Sequence, residues 1–91
     1  MFKPYILSIG RLAEEKNYPF ALEIFKEFSR SNPQYKYVIA GEGPLRAHLS
    51  GLSISMGISE KITFLGFVSN IYEWISESDA VLHVALTLSG P

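Results

Sequence analysis

Three apolar runs in this chain end at a glycine, and each glycine is followed by a segment of helical periodicity. The runs are residues 5–9 before Gly10, residues 37–40 before Gly41 and residues 62–65 before Gly66. A fourth run, residues 80–85, follows the third helical segment. Strands and helices that alternate at these lengths favour right-handed crossovers, which produce a parallel sheet covered by helices on both faces. The sequence therefore predicts an α/β fold with the element order β-α-β-α-β-α-β.

Each predicted helix carries an apolar stripe at a spacing of about three or four residues. The stripe residues are Phe20, Ile24 and Phe28 with Ala21 and Phe25 beside them, then Leu45, Leu49, Leu52 and Met56, and finally Ile71, Trp74 and Ile75. Pro19 suits the first turn of the first helix, and Gly57 is placed to end the second helix, residues 44–56, in the left-handed conformation. Ser69 or Asn70 can cap the third helix. We expect the sheet to cover these stripes.

The composition narrows the class of protein. Hydrophobic residues make up 47% of the 91 residues and charged residues 19%, which favours a globular domain over a disordered chain. The formal net charge of -1 supplies no basic surface for a nucleic acid, so we expect no nucleic-acid partner. The absence of cysteine excludes disulfides and thiolate metal sites. No apolar stretch approaches the roughly 18 to 20 residues that span a membrane.

Two cations, Arg11 and Lys16, follow the first predicted strand. Ligands of open parallel sheets bind outside the carboxyl ends of the strands. An arginine there can grip two phosphate oxygens, and a lysine supplies a movable point charge. This turn therefore predicts a phosphate-bearing ligand. The alternative is that both cations are solvated beside Glu14 and Glu15, which could neutralise them.

The turn Gly41-Glu42-Gly43-Pro44 has two interpretations. It is either a phosphate-binding turn of a dinucleotide site or a tight connection from strand to helix. The dinucleotide fingerprint belongs after the first strand, where Gly10-Arg11-Leu12 offers no second glycine. A nicotinamide-dependent oxidoreductase is therefore disfavoured.

Several other conspicuous side chains are given structural roles. His48 lies in the second predicted helix and His83 in a predicted buried strand, and neither has a partner at metal-ligand spacing, so we expect no metal site. Asp79 begins the fourth strand, at the edge away from the ligand edge, and is interpreted as a turn residue. Tyr72 and Trp74 are expected to pack on the sheet, with sugar stacking as the alternative.

In their order along the chain, these pieces resemble the nucleotide-sugar half of the group 1 (GT4, glycogen-synthase-like) retaining glycosyltransferases of the GT-B fold. The matching pieces are Ile6-Leu7-Ser8-Ile9-Gly10-Arg11-Leu12 with Lys16-Asn17, Val38-Ile39-Ala40-Gly41-Glu42-Gly43-Pro44, Ile62-Thr63-Phe64-Leu65-Gly66, and Ser78-Asp79-Ala80-Val81. In that family an N-terminal Rossmann-like domain holds the acceptor and a C-terminal one holds the sugar donor. The resemblance implies that residues 1–91 are the front part of the donor domain, an incomplete half of a GT-B structure from which the acceptor domain is absent.

The resemblance also implies a set of donor-binding residues. They are Gly10, Arg11, Lys16, Gly41, Gly66, Phe67 and Val68. Arg11 and Lys16 would act in catalysis, because cations on the diphosphate stabilise the negative charge that builds as the leaving group departs. The backbone of Phe67 and Val68 would receive the nucleotide base. No metal ion and no cofactor are implied, since the nucleotide sugar is itself the substrate.

The implied activity is transfer of a sugar from a nucleotide sugar to a sugar or lipid acceptor, with retention of configuration. The enzyme would act in the cytoplasm, either free or peripheral at the membrane. The family carries a pair of glutamates after the fourth strand, and residues 78–91 contain no glutamate. Either the chain ends before that element, or Ser89 or a neighbour replaces the first acid. We therefore expect the 91-residue piece alone to be inactive. The alternative function is a noncatalytic binding or assembly module with a Rossmann-like fold.

A strand order of 3-2-1-4, as in half of a Rossmann sheet, would leave the fourth strand as an apolar edge. We predict low stability and self-association through this edge, which carries Val81, Leu82, Val84 and Leu86. In hydrogen exchange, the amides of residues 6–9 should be the best protected and those of residues 80–86 clearly less so. Equal protection of the two strands in a dilute monomer would show that the edge is covered.

Overall fold

The computed structural model describes residues 3–83, in which a four-stranded parallel sheet has helices on both faces. The elements are β1 (Tyr5–Ile9), α1 (Tyr18–Ser31), β2 (Lys36–Ala40), α2 (Arg46–Ser55), β3 (Ile62–Gly66), α3 (Ile71–Glu77) and β4 (Ala80–Val81). Single 3-10 turns occur at Glu14–Lys16 and Ser59–Lys61. The strand order is β3-β2-β1-β4, and every pair is parallel. The predicted element order and strand order are confirmed, and the fold is Rossmann-like.

The two central strands contribute side chains to both layers of the core. Successive side chains of a strand point to opposite faces of the sheet. Ile6 and Tyr37 therefore pack in the layer under α1 and α2, whereas Leu7 and Val38 pack in the layer under α3. Burial on both faces explains why the apolar runs of β1 and β2 are almost continuous.

Helix α1 buries a stripe that differs in part from the prediction. Ala21 and Phe25 are buried under the sheet, as expected of the residues beside the stripe, and Leu22, which was not predicted there, is buried with them. Phe20, however, is 48% exposed, so its predicted place on the covered face is wrong. The reason is Tyr18, which begins the helix one residue before Pro19 and is itself buried. Its ring sets the rotation of the helix and turns Phe20 towards solvent.

Helix α2 follows the predicted pattern closely. It begins at Arg46, two residues after the predicted start at Pro44. Leu49 is completely buried, and the other three leucine and methionine residues of its stripe pack partly buried on the same core layer. Gly57 has a φ of +77°, so the left-handed end of the helix is confirmed.

The start of β4 is joined to β1 by Asp79. Its carboxylate accepts a hydrogen bond from the Tyr5 amide at 2.9 Å, and its own amide donates to the Tyr5 carbonyl at 2.9 Å. Asp79 is therefore more than a turn residue, because it satisfies the first amide of the central strand. His83 is exposed beyond the end of β4 at Val81, so its predicted position in a buried strand is wrong. Residues 84 and 85 of the predicted strand lie outside the described residues.

Helix α3 packs through one narrow face. Trp74 lies against Tyr5, with the ring centroids 5.8 Å apart, and its carbonyl accepts a hydrogen bond from the Tyr5 hydroxyl at 2.6 Å. The predicted packing role of Trp74 is confirmed. Tyr72 is 82% exposed, so its predicted packing role is wrong. It lies two residues before Trp74, and residues two apart in a helix point to different sides. Within residues 3–83, no helix has the length and hydropathy of a membrane-spanning segment.

Two phenylalanines of α1 provide a matched test of this packing. Replacing the fully buried ring in Phe25→Ala should lower the free energy of unfolding by about 3–5 kcal/mol, because it leaves a cavity between α1 and the sheet. The same change at the exposed position, Phe20→Ala, should cost less than about 1 kcal/mol. Urea denaturation of both variants measures the difference. Similar losses would mean that the helix is rotated from the position described here.

Candidate functional site

The loops that follow β1, β2 and β3 lie side by side at the carboxyl edge of the sheet. Backbone hydrogen bonds join them beyond the ends of the strands. The Leu12 amide donates to the Glu42 carbonyl at 2.9 Å, and the Leu45 amide donates to the Leu12 carbonyl at 3.0 Å. On the other side, the Gly41 amide donates to the Gly66 carbonyl at 2.9 Å. The three loops therefore form one continuous backbone surface.

Glycine is required where the loops after β1 and β2 meet. Gly41 has a φ of +151°, and a Cβ atom built there would lie 2.0 Å from the Gly10 carbonyl oxygen. A Cβ atom on Gly43 would lie 2.4 Å from the Leu12 carbonyl oxygen. Both distances are far inside van der Waals contact. The interpretation of this turn as a tight connection therefore accounts for both glycines.

An open pocket of about 480 Å³ lies over these loops. It is lined by Ile9, Gly10, Arg11, Ala40, Gly41, Glu42, Gly66, Phe67, Val68 and Ile71. Six of the seven donor-binding residues expected from the sequence are in this set. The seventh, Lys16, lines a small neighbouring cleft together with Ser8, Tyr18 and His83. The expected residues thus gather at one edge of the sheet, around two adjoining spaces.

Both cations of the first turn lie next to Gly10, Arg11 in the chain and Lys16 in space. Arg11 follows it directly in the chain and is exposed. The aliphatic part of Lys16 lies over it, with Cε 3.1 Å from the position of a Cβ atom built on Gly10. In the described part of the chain, the ion pairs join Lys3 to Glu77, Arg30 to Glu27 and Arg46 to Glu42. None of these ion pairs joins Glu14 or Glu15 to either cation, and the exposure of Arg11 agrees equally with the alternative that the cations are solvated.

Tyr18, which was not predicted to be a site residue, joins the end of the turn to its beginning. Asn17 adopts the left-handed conformation, with a φ of 54°, and leads into α1. The buried Tyr18 hydroxyl then donates a hydrogen bond to the Gly10 carbonyl at 3.1 Å. Burial raises the pKa of Tyr18 to about 12, so the hydroxyl remains protonated at neutral pH. The indication in the sequence is a large aromatic residue directly before the helix-starting Pro19.

Two buried hydroxyl groups join the central strands, one from Ser8 in β1 and one from Tyr37 in β2. The Ser8 and Tyr37 hydroxyls are 2.6 Å apart, and Ser8 Oγ donates to the Leu82 carbonyl at 2.6 Å. Burial raises the pKa of Tyr37 well above its usual value. This pair connects β2, through β1, to the segment after β4.

Arg46 holds the side chain of Glu42 in the pocket wall. Arg46 Nη1 lies 3.4 Å from the Glu42 carboxylate, and Nη2 donates to the Phe64 carbonyl at 3.3 Å. The guanidinium carbon also lies 5.3 Å from the centre of the Phe64 ring. An exposed ion pair of this kind contributes at most about 1 kcal/mol to stability. Its effect here is geometric, because the carboxylate is kept beside Gly66, where a Cβ atom would lie 2.5 Å from Glu42 Oε2.

The acidic and histidine side chains are scattered in the described range. Residues 3–83 contain no group of three or more such side chains placed to hold a metal ion.

Residues 2–87 match the family model of the group 1 glycosyl transferases. The chain belongs to this family. It is 35% identical over 68 residues to an alpha-D-kanosaminyltransferase of Streptomyces kanamyceticus, covering 75% of this chain and 18% of that protein. It is 39% identical over 62 residues to the alpha-monoglucosyldiacylglycerol synthase of Acholeplasma laidlawii, covering 68% of this chain and 16% of that protein. The chain therefore spans about a fifth of the length of these curated relatives.

Solved structures of similar fold support the architecture. A variant of TarM from S. aureus, in complex with fondaparinux, alpha-GlcNAc-glycerol and UDP, superposes with a TM-score of 0.86 at 13% identity, over 93% of this chain and 17% of that one. The pneumococcal O-GlcNAc transferase GtfA, in complex with UDP and GlcNAc, gives a TM-score of 0.84 at 18% identity, over 91% and 16% of the two chains. At these identities the likeness establishes the fold, and the expected family and Rossmann-like fold are confirmed.

A matched pair of glycine substitutions tests the contact between the loops. Gly41→Ala should lower the free energy of unfolding by at least about 2 kcal/mol, because the new methyl group collides with the Gly10 carbonyl in an unfavourable backbone conformation. Gly51→Ala, in the middle of α2 with open space around it, should instead raise stability by about 0.5–1 kcal/mol. Thermal denaturation of the two variants measures both effects. A neutral Gly41→Ala would show that the loops can separate freely.

Proposed function

We propose that this chain is the donor-binding part of a glycosyltransferase that moves a sugar from a nucleotide sugar to an acceptor. The observation that carries this proposal is the pocket at the carboxyl edge, where the turn bearing Arg11 meets the loop bearing Phe67 and Val68. Membership of the group 1 glycosyltransferases supports it. The proposal assigns the diphosphate to Arg11 and Lys16 and the nucleotide base to the backbone of Phe67 and Val68.

The strand order supports this arrangement of the donor. The loop after β3 and the turn after β1 are separated by the loop after β2, which amounts to two strand spacings, or roughly 10 Å. An elongated ligand with an apolar ring at one end and phosphates at the other would bridge that distance. The β3 end offers the apolar side chains Val68 and Ile71, and the β1 end offers the cation Arg11. A nucleoside diphosphate has these two ends.

The proposed chemistry is electrostatic. When the bond between the sugar and the diphosphate breaks, negative charge grows on the phosphate oxygen that leaves. Cations that are already in place interact more strongly with that charge in the transition state than in the bound substrate, so they lower the barrier. Arg11 and Lys16 would supply this effect with neither a metal ion nor a cofactor. We further propose that the reaction retains the configuration of the sugar, as the family resemblance implies.

The acceptor and the cellular setting belong to the same proposal. We propose that a part of the enzyme other than this chain binds the acceptor, which is a sugar or a lipid-linked molecule. One relative is named for a diacylglycerol product, and another, 33% identical, for an undecaprenol-linked substrate. An enzyme acting on such molecules from the cytoplasm would work either free or at the membrane surface. The sugar itself is left open, because the relatives are named for different sugars.

The proposal is tested by removing both cations from the complete enzyme. With the donor chosen by screening UDP, GDP and ADP sugars, the double variant Arg11→Ala, Lys16→Ala should lose at least about tenfold in kcat/KM, or 1.4 kcal/mol of transition-state stabilisation. The matched control is Lys26→Ala, Arg30→Ala, which removes two exposed cations of α1 outside the pocket. The control should keep its activity. A smaller loss in the first variant, or an equal loss in both, would contradict the assigned roles.

A further inference from the structure

The hydroxyl group of Tyr18 lies under the turn that carries both cations. We propose that Tyr18 is a positioning residue, whose hydrogen bond to the Gly10 carbonyl holds Arg11 and Lys16 in the orientation that receives the donor diphosphate. This inference rests on the proposed function, because it concerns the same ligand. It adds a residue whose hydroxyl acts through the backbone of the turn.

The orientation of the Gly10 carbonyl sets the direction in which Arg11 leaves the strand. A peptide unit is planar, so the Gly10 carbonyl oxygen and the Arg11 amide lie in one plane. Gly10 itself has a φ of 149°, a conformation that glycine adopts with little preference over others. Such a residue needs outside contacts to hold one orientation. The Tyr18 hydroxyl at 3.1 Å provides one, and the close approach of Gly41 to the same oxygen provides another.

Lys16 is held from the opposite end of the turn. It precedes the left-handed Asn17, and Tyr18 follows as the first residue of α1. The Tyr18 ring is buried in the core, so the end of the turn is anchored to the body of the domain. The aliphatic part of Lys16 lies over Gly10, so a shift of Gly10 also moves the ammonium group of Lys16. One hydrogen bond therefore connects the beginning of the turn to its end.

A single substitution can remove the Tyr18 hydroxyl and keep the aromatic ring. Phenylalanine would fill the space of the Tyr18 ring and remove only the donor. Tyr5 is the matched control, since its ring is also buried but it begins β1, at the end opposite to the turn, and its hydroxyl donates to the Trp74 carbonyl. Both substitutions remove one hydrogen-bond donor from a buried ring, and both should lower the melting temperature by similar amounts.

The test measures binding of UDP and of uridine to the complete enzyme by calorimetry, together with steady-state kinetics. Tyr18→Phe should weaken UDP binding and lower kcat by about five- to tenfold, as expected for one neutral hydrogen bond. Uridine binding should be unchanged, because uridine lacks the diphosphate. Tyr5→Phe should change all three quantities by less than twofold. In the Arg11→Ala, Lys16→Ala background, Tyr18→Phe should have no further effect on UDP binding, since the groups it positions are gone.

The outcomes separate this inference from the proposed function. If UDP fails to bind the unmodified enzyme, GDP with guanosine and ADP with adenosine are used in its place, and failure of all three diphosphates contradicts the proposed function. If a diphosphate binds but Tyr18→Phe behaves like Tyr5→Phe, or weakens the nucleoside and the diphosphate equally, the positioning role is overturned and the proposed function stands. Tyr18→Met provides a second variant without the hydroxyl, and it should reproduce the selective loss of diphosphate binding.

Discussion

The rest of this site depends on the close approach of two backbone segments at the carboxyl edge of the sheet. Gly41 lies so near the Gly10 carbonyl that no side chain fits between them, and Gly43 does the same beside Leu12. This contact lets the loops after β1 and β2 continue the hydrogen bonding of the sheet past its strands. The pocket floor is therefore made of backbone atoms at fixed positions. A phosphate-bearing ligand benefits from such a surface because little ordering remains to be done on binding.

Each buried tyrosine hydroxyl of the core has its own hydrogen-bond partner. Three tyrosines of the core each donate to, or pair with, a specific partner: Tyr5 with the Trp74 carbonyl, Tyr18 with the Gly10 carbonyl and Tyr37 with Ser8. Among residues 3–83, no buried side-chain nitrogen or oxygen lacks a hydrogen-bond partner. A buried hydroxyl without a partner would cost about 1–3 kcal/mol, a large fraction of the stability of a domain this small. These bonds also connect the helices and β4 to the central strand, so the core and the site share the same contacts.

Much of the fold could be predicted because periodicity reports burial directly. The glycines that end the apolar runs indicated the ligand edge, and the alternation of strands and helices indicated the parallel sheet. What failed depends on contacts between residues distant in the chain. Phe20 and Leu22 both satisfy a helical stripe, and only the buried ring of Tyr18 decides which of them faces the sheet. Asp79 looked like a turn residue because its partner, the Tyr5 amide, is 74 residues away in the chain.

The sequence predicted which residues gather at the site more fully than it predicted how they are arranged. The sequence placed Arg11 and Lys16 in one turn, yet Arg11 lines the main pocket and Lys16 lines the cleft towards β4. Spacing along a loop cannot reveal this division, because the 3-10 turn Glu14–Lys16 redirects the chain after Arg11. Under the proposed function, a donor would then extend along the strand order, with its base near β3 and its diphosphate near β1. Because β4 lies beside β1, Lys16 would approach that diphosphate from the β4 side and Arg11 from the side of the main pocket.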